Sequence, residues 1–335
     1  MNEQNLQNYQ GEIELRELFL ALWKHKLSIL SFAVLGAILA GILSVFFLDP
    51  VYITSMKVDL NIPETYNTRY GEYKMTVSSD RQYMELITNN DVIAETIKDM
   101  EYDSSEVNLN DLKKRITIGR TTSTVQQKIH DITVSAPDPV EAQKLAKVLY
   151  NNYLDYLFFT TNERALNHYN NMFSSNIKSC QNIIDSTKVI LKKNKELLAN
   201  TPQTINQSNL INTEKNVVIE NIINPAYTKI EEAIIENQQL IYSTEESIKK
   251  YEKYLNEIDT EKNVLNEYTE TGNIQRDGTG LINIANTNII LVSSPEIPIE
   301  KTSPNTILNI AMGLIIAVVV GAVFLLIKEF WLKKV

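Results

Sequence analysis

Two stretches without a charged residue, 27–48 and 306–327, stand near opposite ends of the chain, each 22 residues long. As helices they would rise about 33 Å, enough to cross a hydrocarbon core about 30 Å thick. A helix also satisfies its backbone polar groups internally where no water is at hand. Between these runs, residues 51–62 (VYITSMKVDLNI) alternate and are rich in β-branched side chains, which predicts a strand ended by Pro63. Ser79 and Asp80 can start a helix reaching about Met100, with Tyr83, Leu86, Ile87, Val92, Ile93 and Ile97 inward and a break at Asn89-Asn90. Residues 115–120, 128–135 and 288–292 predict further strands. Helices set against a few strands make 49–138 an α+β domain.

At Pro137-Asp138-Pro139 the pattern changes. Asp138 suits an N-cap and Pro139 the first helical position. No Gly or Pro occurs from 140 to 201, which permits a helix of about 60 residues, on the order of 90 Å long. Ile177, Cys180, Ile184, Thr187, Leu191, Asn194 and Leu198 recur at three- and four-residue steps. A second run does the same more cleanly: Ile230, Ile234, Asn237, Ile241, Thr244, Ile248, Tyr251, Leu255 and Ile258, with Leu265 one heptad on. Such heptads predict a coiled-coil seam, and its polar members help fix register. The simplest geometry is a helical hairpin over 139–270 standing away from the membrane, with the Asn- and Gln-rich stretch 201–224 near its far end. One isolated hairpin of that length has little core, so lateral packing against further copies is expected.

The net charge of −9 is uneven: −1 over the first 26 residues, +2 over the last eight, and −10 between. An acidic middle argues against a nucleic-acid partner, which would demand clustered Lys and Arg. Lys24 and Lys26 precede the first span, and Lys328, Lys333 and Lys334 follow the second, so both termini are expected in the cytoplasm and the bulk outside it. Trp23, Phe46, Phe47, Phe330 and Trp331 sit where an aromatic belt would. A cleavable signal peptide is the rival reading of the first span. Its apolar run is too long for that, no A-x-A site follows, and 26 residues precede it. With Cys180 as the single cysteine, no internal disulfide can form.

Ala33, Ala37 and Gly41 repeat every four residues in the first span, as do Gly313, Ala317 and Gly321 in the second. That spacing puts each set on one helix face, where another helix can approach closely. Catalytic patterns are missing. No phosphate-binding G-x-x-x-x-G-K-[ST] loop occurs, and His25, His130 and His168 are scattered without metal-ligand spacing. Cys180 occupies a seam position, and Glu231-Glu232 and Glu245-Glu246 are consecutive on a helix and diverge. No enzyme activity, cofactor or metal is expected.

Several segments together resemble the chain length determinant (Wzz) family, the polysaccharide co-polymerases. EIELRELFLALWKHKLSI runs straight into a span, TVSSDRQYMELITNNDVIAETI is similar to that family's membrane-proximal helical region, and ITVSAPDPVEAQKLAKVLYNNYLDYL to its strand-then-long-helix passage. SSPEIPIEKTSPNTILNIAMGLIIAVVVGAVFLL pairs spaced prolines (Pro295, Pro298, Pro304) with a Gly-bearing second span. The resemblance implies a non-enzymatic inner-membrane protein that oligomerises into a ring and sets the length of a surface polysaccharide (O-antigen, capsule or exopolysaccharide) by acting on the polymerase. The growing lipid-linked glycan and a separate cytoplasmic tyrosine kinase are further candidate partners, since a fused nucleotide-binding kinase domain with a Tyr-rich tail is lacking.

The expected fold is therefore an α+β membrane protein: two transmembrane helices flanking a membrane-proximal α/β domain with long, coiled-coil-like helices, in an oligomeric ring. The expected segments are a cytoplasmic tail (1–26), a span (27–48), the α+β domain (49–138), the helical hairpin (139–270), a return strand and Pro-containing linker (271–305), a second span (306–327) and a tail (328–335). Gly313, Ala317 and Gly321, with Ala33, Ala37 and Gly41, are the expected helix-packing residues. Pro295, Pro298 and Pro304 are expected to stiffen the linker, and Ile234, Ile241, Ile248 and Leu255 to line the seam. The alternatives are an adaptor or activator of a separate tyrosine kinase, a two-span extracytoplasmic sensor, and an export-machine adaptor. Tails of 26 and 8 residues disfavour the sensor, and paired anchors disfavour the export adaptor.

Overall fold

The computed structural model describes residues 15–77, 79–103, 105, 107–123, 128–206, 221–271 and 280–332. Much of the polar stretch 201–224, the end of the C-terminal tail with Lys333 and Lys334, and part of the return segment lie outside the described residues. In chain order the elements are α1 (Leu15–Lys24), α2 (Lys26–Phe46), β1 (Tyr52–Leu60), β2 (Thr65–Thr68), β3 (Gly71–Lys74), α3 (Asp80–Glu85), a 3-10 turn (Leu86–Thr88), α4 (Asn90–Asp99), α5 (Leu109–Lys114), β4 (Ile116–Ser123) and β5 (Lys128–Ala136). They continue with α6 (Pro139–Ala199), β6 (Thr204–Asn206), β7 (Asn221–Ile223), α7 (Pro225–Thr271), α8 (Ile284–Asn288), β8 (Ile289–Ser293), α9 (Thr306–Ile327) and a π-helical turn (Lys328–Leu332).

The chain divides into two compact units, one of 1–61, 79–153 and 289–335, the other of 62–78 and 154–288. α6 contributes to both, and 62–78 belongs with the long helices rather than with the rest of 49–138.

The first unit holds an antiparallel sheet in the order β4-β5-β1-β8. β1 pairs with β5 along its length, from Tyr52 opposite Ala136 to Asp59 opposite Ile129. Thr54, Met56, Val58 and Leu60 of β1 and His130, Ile132, Val134 and Ala136 of β5 are buried at alternate positions, as a two-residue period requires. The same core includes Met84, Ile87, Val92, Ile93 and Leu112 of the short helices and Leu145, Leu149 and Tyr153 of α6. Helix starts follow their caps. Ser79 Oγ accepts the Gln82 N–H, Asn89 Oδ1 the Asp91 N–H, and Asp138 Oδ1 the N–H groups of Val140 and Glu141. The buried Tyr153 hydroxyl donates to the Tyr83 carbonyl (2.9 Å), tying α6 to α3.

The second unit is built on α6 and α7. Phe158 and Asp155 meet Tyr268, while Phe173 further along α6 meets Tyr251 and Tyr254 earlier in α7, so the helices are antiparallel. At the other end β6 and β7 pair from Thr204 opposite Ile223 to Asn206 opposite Asn221. Ile184, Thr187, Ile234, Thr244, Ile258 and Leu265 are buried, and Ile177, Cys180, Leu191, Ile241, Ile248 and Leu255 are half-buried. The heptad positions are thus the covered ones on both helices. The β2–β3 hairpin, a feature the heptad pattern does not announce, plants Tyr70 among Tyr169, Phe173 and Tyr254. Buried Asn162 locks the returning chain: its Oδ1 accepts the Ile282 N–H (2.6 Å) and its Nδ2 donates to the Ile282 carbonyl (3.0 Å).

Burial pushes the His130 imidazole below its ordinary range, against the opposing pull of Asp80 and Asp59, while Lys128 reinforces the depression. Because the folded protein binds that proton less readily than the unfolded chain, stability is full above the unfolded pKa of about 6.5 and falls as pH drops through it. Thermal unfolding of the full chain in detergent should show a midpoint that declines from pH 7.5 to 5. The decline should flatten in His130→Gln, and an equally steep decline there would assign it to other groups.

Candidate functional site

Two helices, α2 and α9, are long and apolar enough to cross a membrane, and most of their surface is left uncovered by the rest of the chain. They pack on each other in antiparallel sense. His25 and Lys24 meet Glu329 at one end, Phe32 meets Phe324 and Gly321, Gly36 meets Gly313 and Ala317, and Ser44 meets Asn309 at the other end. Leucine and isoleucine side chains cannot drive this pairing in lipid, where the tails are equally apolar, so close backbone approach and polar contacts must carry it.

The closest approach is at Gly36. A Cβ placed there would lie 2.9 Å from the Gly313 carbonyl oxygen and would overlap the Ala317 methyl. A Cβ on Gly313 would lie 2.9 Å from the Gly36 carbonyl oxygen and would overlap the Ala40 methyl. The two backbones therefore touch at this level only because both side chains are missing. Gly321 faces the Phe32 side chain, where a Cβ would lie 2.9 Å from the Phe32 Cβ. Gly41 is looser, with 3.3 Å from such a Cβ to Ile310 Cγ1. Ala33 is buried on the same face and Ala37 half-buried. The expected small residues thus all lie on covered faces. Gly36 and Ala40, which the four-residue spacing of Ala33, Ala37 and Gly41 passes over, make the tightest contact of the first span.

Polar latches close both ends. The Asn309 amide donates to the fully buried Ser44 hydroxyl at 2.9 Å. At the opposite end Glu329 sits 3.1 Å from Lys24 Nζ and 3.4 Å from His25 Nε2. Lys26 Nζ lies 5.1 Å above the Trp23 ring, a cation–π contact. Trp23, Phe46, Phe47 and Trp331 are exposed near the span ends.

Just beyond the spans the two chain directions are tied together again. The Val51 N–H donates to the Ser303 carbonyl and the Thr302 N–H to the Val51 carbonyl, both at 2.8 Å. Pro304 and Pro295 are buried and Pro298 is half-buried. The Pro295 carbonyl accepts from Gln143 Nε2 (3.1 Å) and the Glu296 carbonyl from the Thr54 hydroxyl (2.7 Å), which anchors the linker to α6 and β1. Ile234 of the seam is buried, and Ile241, Ile248 and Leu255 are half-buried on α7. Among the described residues, no three His, Cys, Asp or Glu side chains cluster as metal ligands would.

Residues 11–100, which take in α1, the first span, β1 and the helices through α4, match the family model for the chain length determinant protein, Wzz. Over this region, about a quarter of its length, the chain is similar to the Wzz chain length determinant family. Over 157 residues it is 30% identical to the capsular polysaccharide biosynthesis protein CpsC of Streptococcus pneumoniae, an alignment covering 44% of this chain and 62% of that protein. The chain thus spans less than two thirds of that relative's length. Among solved structures, it is similar to a full-length bacterial polysaccharide co-polymerase at 13% identity and a TM-score of 0.45, covering 94% of this chain and 97% of that one. The wild-type Shigella flexneri O-antigen chain-length regulator WzzBSF is similar at 11% identity and a TM-score of 0.34, covering 74% of this chain and 99% of that one.

Enlarging Gly36 or Gly313 should force the spans apart, whereas at Gly41 only the flexible end of the Ile310 side chain has to give. In a Cys180→Ser background, paired cysteines at Ser44 and Asn309 should form a disulfide in membranes. Gly36→Leu or Gly313→Leu should cut that yield by about tenfold, the effect of roughly 1.4 kcal/mol, and Gly41→Leu should change it little. Equal yields in all three variants would remove the close crossing.

Proposed function

We propose that this chain is a polysaccharide co-polymerase: a two-span membrane protein that regulates the length of a surface polysaccharide by oligomerising and acting on the polymerase, without catalysing a reaction itself. The observation that carries this reading is the match of residues 11–100 to the chain length determinant family, which runs without a break from the helix before the first span to the body beyond it. Capsular polysaccharide is the favoured product, since the 30% identical relative is a capsule biosynthesis protein. Basic residues at the outer ends of the spans (Lys24, Lys26 and Lys328) support a topology with both termini in the cytoplasm and the bulk outside.

Self-assembly has support in the surface of α6 and α7. Beside its seam, α6 exposes Ile183, Ile190 and Leu197, one heptad apart, and α7 exposes Ile235 and Tyr242 at the same interval. On α6 Lys193 lies beside Ile190 and Leu197, and on α7 Glu231 and Glu232 lie beside Ile235, and Glu245 and Glu246 beside Tyr242. The apolar stripe on α6 of one copy can therefore pack on the apolar stripe on α7 of another. Packing of this head-to-tail kind uses two different faces and closes into a ring when the rotation allows.

Deleting the gene should shift the length distribution of the surface glycan on a gel while total sugar synthesis continues; an unchanged distribution would sink the proposal. Purified full-length protein in mild detergent should have the mass of a multimer by light scattering. Ile190→Glu with Leu197→Glu should reduce that mass. A monomer for the unaltered chain would exclude assembly, and an unchanged multimer for the double variant would move the interface elsewhere.

A further inference from the structure

Strand β1 is paired along one edge and open along part of the other. β5 covers Tyr52 through Asp59, but β8 reaches only from Leu60 back to Lys57, where Lys57 stands opposite Ser293. Ladder resumes at the foot of the strand, where Val51 bonds to Thr302 and Ser303. Backbone groups alternate sides along a strand, so Ile53 and Ser55 turn their N–H and C=O groups to the same side as Val51 and Lys57. Among the described residues, no backbone partner meets them there. The cause lies in the returning chain. Eight residues (294–301) connect the two tied points on that side, against five (52–56) on β1, and Pro295 and Pro298 have no N–H to donate. The surplus loops away and leaves a cleft of about 570 Å³ beside Ile53, Thr54 and Ser55.

The cleft is lined by three isoleucines among Thr, Ser and Pro, together with two glutamates. Ile53, Ile297 and Ile299 line it at 40%, 49% and 98% exposure, unusual values for three neighbouring isoleucines. Glu296 and Glu300 line it as well, and among the described residues neither forms an ion pair. No aromatic ring lines it to stack on a sugar face. Two sets of backbone donors and acceptors spaced about 7 Å apart repeat at the period of an extended peptide, and an open edge of this kind is a template for an added strand.

We propose that this cleft is a docking slot for an extended strand of a partner protein, with apolar side chains at alternate positions and a Lys or Arg facing Glu296 and Glu300. The strand bonds to the backbone of Ile53 and Ser55, lays its apolar side chains on the three isoleucines and completes the ladder that the prolines interrupt. This inference is independent of the chain's role in polysaccharide synthesis.

The test uses a labelled peptide, acetyl-(Lys-Val)3-amide, added to the purified full-length protein in detergent and followed by fluorescence anisotropy. Saturable binding is expected, with about tenfold weaker binding of the (Glu-Val)3 analogue and of a peptide N-methylated at alternate residues. Ser55→Pro removes the donor that faces the cleft and leaves the β5 ladder intact, so it should weaken binding about tenfold, while Ser55→Ala should not. Should Ser55→Pro fail to fold, Glu296→Lys with Glu300→Lys serves instead and should reverse the preference between the two peptides. Absence of saturable binding, equal binding of the N-methylated peptide, or an unreversed charge preference would overturn the proposal. A fall in the protein's own oligomeric mass as peptide is added would give the slot to a second copy and overturn it equally.

Discussion

Where Gly36 and Gly313 meet, two helix backbones come close enough that neither position tolerates a side-chain carbon. The rest of the first unit depends on that contact. In lipid no hydrophobic force pulls helices together, so the pairing of α2 with α9 rests on backbone approach and on the polar latches at either end. The antiparallel crossing brings the chain out at Val51 and takes it back at Ser303 side by side, where two short hydrogen bonds join them. β1 and β8 can then share a sheet although more than two hundred residues separate them in sequence.

Beyond the sheet, the long helices solve a different problem. A single antiparallel pair has one seam, and its core is thin. α6 and α7 bury that seam and leave a second apolar stripe on each helix in water. The polar seam residues Asn194, Asn237 and Thr244 weaken the pair compared with an all-apolar coil, but they specify register. Asn237 and Thr244 turn their side chains back to carbonyls four residues earlier, at Ala233 and Leu240, so their covered polar atoms do not go unsatisfied.

How much of this was legible in the sequence follows from how local each signal is. The spans and caps are local: a charge-free run must cross or be buried, and Ser79, Asn89 and Asp138 bond to N–H groups two or three residues on. The heptads are nearly local, because helical periodicity alone decides which residues share a face. The crossing point of the spans is not. Ala33, Gly36, Ala37, Ala40 and Gly41 lie on one face, and which of them touches the partner depends on the crossing angle, a property of two helices. Gly36 therefore escaped the four-residue rule applied to Ala33, Ala37 and Gly41. The β2–β3 hairpin was equally hidden. Its strands are four residues each and mostly polar, and Gly71, with φ +130°, was its one local mark.

That hairpin shows why the missing information is tertiary. Isolated, two four-residue strands are too short to be stable in water. Here Tyr70 enters an aromatic cluster, the Thr68 hydroxyl donates to the Tyr169 hydroxyl, which in turn donates to the Gly71 carbonyl, and Arg69 pairs with buried Glu261 of α7. Burying a carboxylate against a half-exposed arginine gains little net energy even when they meet. What the pair supplies is position, because a hairpin shifted by one residue along α7 would leave the Glu261 charge buried without its partner, at a cost far above that of any lost apolar contact. Aromatic packing holds the hairpin down, and the ion pair decides where.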